Sequence, residues 1–162
     1  MKLRRLNSND AQRMYDWMHD TSVVEKMQTD FRSKTMEDCN AFIANSYTQQ
    51  NRHMAIVDDN DIYMGTVSLK HITDQTAEFA ITICKDAMGK GYSSWAMKEI
   101  IRIAFEQYNI NTIYWCVAPD NIRALKFYDK NGYKRVTMGK IEYVDGYTQE
   151  QRRQYIWYKI TK

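Results

Sequence analysis

The spacing of apolar residues changes along the chain, and each change marks an element. Ala11, Met14, Tyr15, Trp17 and Met18 recur at helical steps. They follow Ser8-Asn9-Asp10, a cluster of N-cap type. Leu3 to Leu6 reads as a short strand before it. A second helix is predicted from Met36 to Thr48, with Thr35 as N-cap and Asp38 completing an acidic capping box. Ala41, Phe42 and Asn45 continue it. The period then shortens. His53 to Val57 reads as a strand, Asp58 to Asp61 as a turn, and Ile62 to His71 as the hairpin partner. Glu78 to Cys84 is a third strand rich in β-formers. After Gly89-Lys90-Gly91 the helical period returns: Ala96, Met97, Ile100, Ile101, Ala104 and Phe105 make one broad apolar face. Thr112 to Val117 is a strand again, so strand, helix and strand form a βαβ unit with a parallel pair. Pro119-Asp120 ends that strand. A short helix runs from Asn121 to Lys130, closed by Asn131-Gly132. Tyr133 to Val136, Lys140 to Val144 and Gln154 to Thr161 are late strand candidates. The expected fold is one α+β domain over residues 1–162. Its mixed, mostly antiparallel sheet holds a central parallel pair and carries helices on its faces.

Composition narrows the partners. The 162 residues carry 23 basic and 20 acidic side chains, a formal net charge of +3. Basic residues never run beyond two or three together, so nucleic acid is not an expected partner. No stretch is long and apolar enough to span a membrane. The N-terminus lacks the apolar core of a signal peptide. Cys39, Cys84 and Cys116 lie far apart and form no CxxC pair, and His19, His53 and His71 are scattered, so no metal site is expected. A cytoplasmic location fits these features. The 12 Tyr and 4 Trp contrast with one Pro and six Gly. The C-terminal group of Tyr143, Tyr147, Tyr155, Trp157 and Tyr158 reads as exposed aromatics packing strands or the face of a homodimer.

Three places could carry chemistry. The turn Gly89-Lys90-Gly91-Tyr92-Ser93-Ser94 follows a strand and opens a long helix, whose first N–H groups lack intrahelical partners and attract anions. Glycine admits positive φ and close approach of a phosphate, and Lys90 adds charge. The plainer alternative is a structural turn that starts a helix. The spacing fits neither a Walker A loop nor a dinucleotide fingerprint, which needs a third Gly where Ser94 stands. The second place is one helical face shared by Asn121, Ala124 and Tyr128. Its plainer reading is a capping Asn and a core Tyr. The third is Glu78 at the start of its strand, where an acid is usually solvated.

In this order the pieces resemble the GCN5-related N-acetyltransferase superfamily, most clearly from Ala77 to Tyr133. The acyl-CoA motif Arg/Gln-x-x-Gly-x-Gly/Ala is read here as Met88-Gly89-Lys90-Gly91-Tyr92-Ser93, departing at Met88 and Ser93. The later signature Asn-x-x-Ala-x-x-x-Tyr, then Gly-Phe or Gly-Tyr, matches at Asn121, Ala124, Tyr128, Gly132 and Tyr133. Trp17-x-x-Asp20 and the Gly65 strand look like the branch acting on ribosomal proteins, polyamines or nucleotide-linked amino sugars.

The resemblance implies acetyl-CoA as co-substrate, its pyrophosphate cradled from Gly89 to Ser94 and its pantetheine along the backbone of Ile81 and Ile83. It also implies that the sheet splays near Pro119. A neutral amine would attack the thioester directly. Glu78, through water, would take its proton, since Cys116 stands where some members carry an acid on the next strand. A backbone N–H between Ile81 and Ile83 would hold the oxyanion, and Tyr128 would protonate or hydrogen-bond the leaving thiolate. The expected acceptor is a small-molecule amine, an amino sugar slightly ahead of a polyamine. A protein N-terminus is the enzymatic alternative, and a non-catalytic acyl-CoA-binding module the alternative of another class.

Overall fold

The computed structural model describes residues 1–137 and 146–162. The order is β1 (Lys2–Arg5), a 3₁₀ turn (Ser8–Asp10), α1 (Ala11–Met18), α2 (Thr21–Val24), α3 (Met36–Ala44), β2 (Arg52–Val57), β3 (Tyr63–Lys70) and β4 (Thr76–Ile83). A second 3₁₀ turn (Lys85–Ala87) leads to α4 (Tyr92–Gln107), β5 (Thr112–Val117), α5 (Ile122–Lys130), β6 (Arg135–Val136), α6 (Gln149–Gln154) and β7 (Ile156–Thr161). The strands form one sheet in the order β1-β2-β3-β4-β5-β7-β6. Every pairing is antiparallel except β4 with β5. This is the α+β architecture expected from the pattern. On β3 five consecutive residues from Gly65 to Leu69 are buried, which requires cover on both faces.

Several boundaries differ for local reasons. The predicted helix from Met36 to Thr48 ends at Ala44 because the Asn45 side chain turns back to donate to the Ala41 carbonyl, and Tyr47 then bridges to Arg52. Its capping box is present: Asp38 N–H donates to Thr35 Oγ1 at 3.2 Å, and Thr35 N–H to Asp38 Oδ2 at 2.8 Å. Gln154 belongs to a helix, not a strand, because Thr148 and Gln151 form another capping box. The turn α2 was not foreseen; Asp20 caps it by accepting from Ser22 N–H. The candidate strand Lys140 to Val144 lies outside the described residues, as does Tyr143.

The sheet's alternation sorts the aromatic side chains into two clusters. Trp115 stacks on Tyr158 with ring centroids 5.4 Å apart and also meets Phe79, Tyr128 and Tyr133. Tyr114 and Trp157 pack together on the opposite face with Tyr147 and Tyr155 beside them. Trp157 and Tyr158 are therefore buried in the chain's own core, not exposed as expected.

Candidate active site

The parallel ladder between β4 and β5 is short. Thr76, Ala77 and Glu78 pair with Thr112, Ile113 and Tyr114, and beyond them the two strands have no mutual pairs although both continue. The sheet opens there. Cys84 N–H, at the far end of β4, donates to Met64 on β3 at 2.8 Å. Backbone groups alternate along a strand, so those of Phe79, Ile81 and Ile83 turn the other way, into the gap. That leaves N–H and C=O groups of Ile81 and Ile83 facing an opening rather than a partner strand.

Each side of the opening has its own cavity. A channel of about 250 Å³ is lined by Ile81, Ile83, Met88, Gly89, Ser93, Asn121 and Tyr128, with Arg123 and Phe127 completing its α5 wall. Its upper end is the start of α4. Gly89 and Gly91 have φ of +76° and +88°, and no side chain caps the helix. The first-turn N–H groups thus meet solvent as an uncapped positive end. Asn121 accepts from Ala124 N–H, so its side chain starts α5 and Tyr128 follows two turns along the same face.

A cavity of about 380 Å³ lies on the other side. Thr66, Ser68 and Lys70 of β3 and Ala80 and Thr82 of β4 form its floor, with Trp17, Phe31 and Phe42 as apolar walls. A mouth of about 230 Å³ joins the sides, and both Glu78 and Tyr128 line it. Phe79 packs on Tyr128 and Trp115. Glu78, next along β4, therefore points to the opposite face. The acid and the phenol approach the gap from opposite sides of the sheet.

The comparisons with known proteins agree with this geometry. The profile of the acetyltransferase (GNAT) domain matches residues 1–134. The chain belongs to the GNAT acetyltransferase family. It is 27% identical to the acetyltransferase PseH of Campylobacter jejuni over 128 residues, 79% of each chain. It is 28% identical to the spermidine N(1)-acetyltransferase of Vibrio cholerae over 110 residues, 65% of this chain and 62% of that one. The spermidine N-acetyltransferase of Vibrio cholerae in complex with CoA and spermine has the same fold. The TM-score is 0.77 at 18% identity, covering 99% of this chain and 94% of that one. The protein is an acetyl-CoA-dependent N-acetyltransferase.

Within this GNAT frame, the electrostatics of the gap were not visible from sequence. Glu78 is buried, only 2% exposed, where a solvated acid was the plainer expectation. Its Oε1 takes Lys70 Nζ at 2.9 Å and the Tyr147 hydroxyl at 2.6 Å. Oε2 faces His71 Nε2 at 3.5 Å. Burial, and then the neighbouring Cys116 and Glu78, push the Tyr147 phenol far above the usual range. Burial likewise pushes the Cys116 thiol up to about 11, so it stays neutral and supplies no anion at its position. Tyr128 is 7% exposed, and burial holds its phenol well above the ordinary value of 10.0, which keeps it a donor.

Other expected residues scatter more. Met88, Gly89 and Ser93 line the channel, whereas Lys90, Gly91, Tyr92 and Ser94 are not among its lining residues. The Ser94 hydroxyl is turned away to donate to Asn131 Oδ1 at 2.8 Å. Lys70 and Arg123 were missed altogether, and Tyr147 was expected only among the exposed aromatics that pack strands or a dimer face, not as a partner of Glu78. Their contacts join residues far apart in sequence, and the one local signal was Lys70 near the end of a predicted strand. Among the described residues no group of three or more His, Cys, Asp or Glu side chains is placed to hold a metal. No helix among them is long and apolar enough to cross a membrane.

Proposed function

We propose that the chain acts as a single domain over residues 1–162. In this reading it transfers the acetyl group of acetyl-CoA to a small-molecule amine, with an amino sugar preferred over a polyamine. The thioester arm lies in the channel walled by Ile81, Ile83 and α5, with the pyrophosphate at the Gly89 to Ser94 turn. The amine comes from the opposite cavity and attacks the thioester carbonyl in the gap. Glu78 accepts the proton lost by the ammonium, through a water at the mouth. An inward N–H of β4 holds the oxyanion as the carbonyl becomes tetrahedral. Tyr128 donates to the departing sulfur.

The observation carrying the acceptor preference is the charge of the acceptor cavity. Its lining holds Lys34 and Lys70 against one carboxylate, Asp38, while His53 in the same lining is held neutral by burial. Asp38 Oδ2 is engaged by its own helix cap, and Glu78 at the mouth is engaged by Lys70. A polyamine carries further ammonium groups that need anionic partners. A hydroxyl-rich, neutral or anionic amine meets hydroxyls and cations instead. The C-terminal aromatics that suggested a homodimer face are mostly spent inside the chain, and a dimer is proposed here only as compatible with the fold.

The deciding experiment is an acetyl-CoA turnover assay reading thiol release over amino sugars, spermidine and short peptides. An amino sugar with kcat/KM at least tenfold above spermidine is expected. Spermidine as the best acceptor overturns the preference. A peptide N-terminus as the best acceptor moves the protein to the protein-acetylating branch. Acetyl-CoA binding without thiol release on any amine points to a sensing module.

A further inference from the structure

We infer that Arg123, from α5, supplies the cationic contact to the pyrophosphate that the first position of the acyl-CoA motif lacks. The family motif opens on Arg or Gln, and this chain has Met88 there. A thioether brings no charge and accepts hydrogen bonds only weakly. The fold places a guanidinium on that very side chain: Arg123 Nη1 lies 3.3 Å from Met88 Sδ. Arg123 and Met88 line the same channel as Gly89 and Ser93. Charge missing at the first motif position is thus present beside it, carried from a helix 35 residues further along the chain.

The surroundings of Arg123 orient it without neutralising it. Nη1 also donates to the Ser22 carbonyl at 3.2 Å, and Nη2 to the Val23 carbonyl at 3.5 Å. Both acceptors are uncharged. Among the described residues Arg123 makes no ion pair. A guanidinium has five N–H donors, so Nε–H and one Nη2–H remain for an anion. The fork suits two phosphate oxygens at once. The placement follows from local structure. Asn121 caps α5, and Arg123 falls in the first turn, on the side facing α2 and the loop. The α4 N-terminus offers the pyrophosphate only partial charge and Lys90 is not among the channel's lining residues, so one full charge within that lining changes affinity measurably.

The inference rests on the acetyl-CoA reading of the channel. Its test is calorimetric titration of acetyl-CoA, at low and raised salt, into four proteins. These are the wild type, Arg123→Gln, Arg123→Lys, and the double variant Arg123→Gln with Met88→Arg. Arg123→Gln is expected to weaken binding about tenfold and to flatten its salt dependence. Arg123→Lys retains most of the affinity, and the double variant recovers it by returning the charge to the motif position. Acetyl-pantetheine, which lacks the pyrophosphate, is expected to compete equally well in wild type and Arg123→Gln. An equal loss for both donors, with no recovery in the double variant, overturns the inference and leaves Arg123 as a clamp on α2. A wild type that binds no acetyl-CoA overturns the reading of the channel, and this inference with it.

Discussion

At the residue scale, Glu78 and Tyr128 stand on opposite faces of one opening and should fail differently. Tyr128 is kept protonated by burial to well above pH 10, so its ionisation does not shape the neutral range. Tyr128→Phe is expected to lower kcat about tenfold to a hundredfold while acetyl-CoA affinity stays within about twofold. Glu78→Gln is expected to lower kcat/KM about tenfold to a hundredfold, because the amide cannot accept the proton of the attacking amine. Steady-state rates across pH, with calorimetry for the donor, separate the two. An unchanged kcat in Tyr128→Phe denies it the donor role, and an unchanged kcat/KM in Glu78→Gln points to solvent as base. Tyr128 was legible because its motif is local: Asn121, Ala124 and Tyr128 share a helical face by spacing alone. The setting of Glu78 was not, because it is made by Lys70 on the neighbouring strand and by Tyr147, 69 residues away.

At the scale of elements, the gap depends on β4 leaving β5 while staying bound to β3. Gly65 makes that hold possible. It pairs with Ile83 at the end of β4, and a Cβ there would collide with the Thr82 carbonyl oxygen. A backbone oxygen within a ladder cannot step aside as a flexible side chain can. Gly65→Ala should therefore cost about 2 kcal/mol or more and lower Tm by roughly 5 °C, read by thermal unfolding. It should also weaken acetyl-CoA binding, since Ile83 lies on the channel wall. A variant as stable as wild type would show that β4 has slack at this point. Gly91 differs: nothing crowds it, and its φ of +88° alone selects glycine. The glycine turn and the βαβ unit were readable from period and punctuation. The helix end at Ala44 and the turn at Thr21–Val24 were not, because single side-chain bonds from Asn45 and Asp20 decide them.

Across the whole molecule, packing that no local pattern announces also sets how the fold answers to acid. His53 on β2 faces the acceptor cavity, packs on Phe42 with ring centroids 4.6 Å apart, and meets Ser68 Oγ at 2.8 Å through Nδ1. Burial, and then the charge of Lys70, lower its pKa from 6.5 to about 4. The folded state therefore resists a proton that the unfolded chain accepts. Stability from the neutral imidazole is fully present above pH 6.5 and drains away as pH falls toward about 4. Two and a half units correspond to about 3 kcal/mol, less what partial exposure returns to solvent, so on the order of 2 kcal/mol remains. The lowered carboxylates, among them Asp61, Asp86 and Asp129, release their stabilisation only below the usual carboxylate range. That leaves the window between about pH 6.5 and 4.5 largely to histidine. Urea unfolding at pH 7.5 and 4.5 is expected to show a loss of that size, and His53→Gln should remove most of the difference. If His53→Gln keeps the full pH dependence, the imidazole is not what acid attacks first. The same substitution leaves Lys34 and Lys70 in the cavity, so its effect on acceptor KM at pH 7.5, where His53 is already uncharged, should be modest.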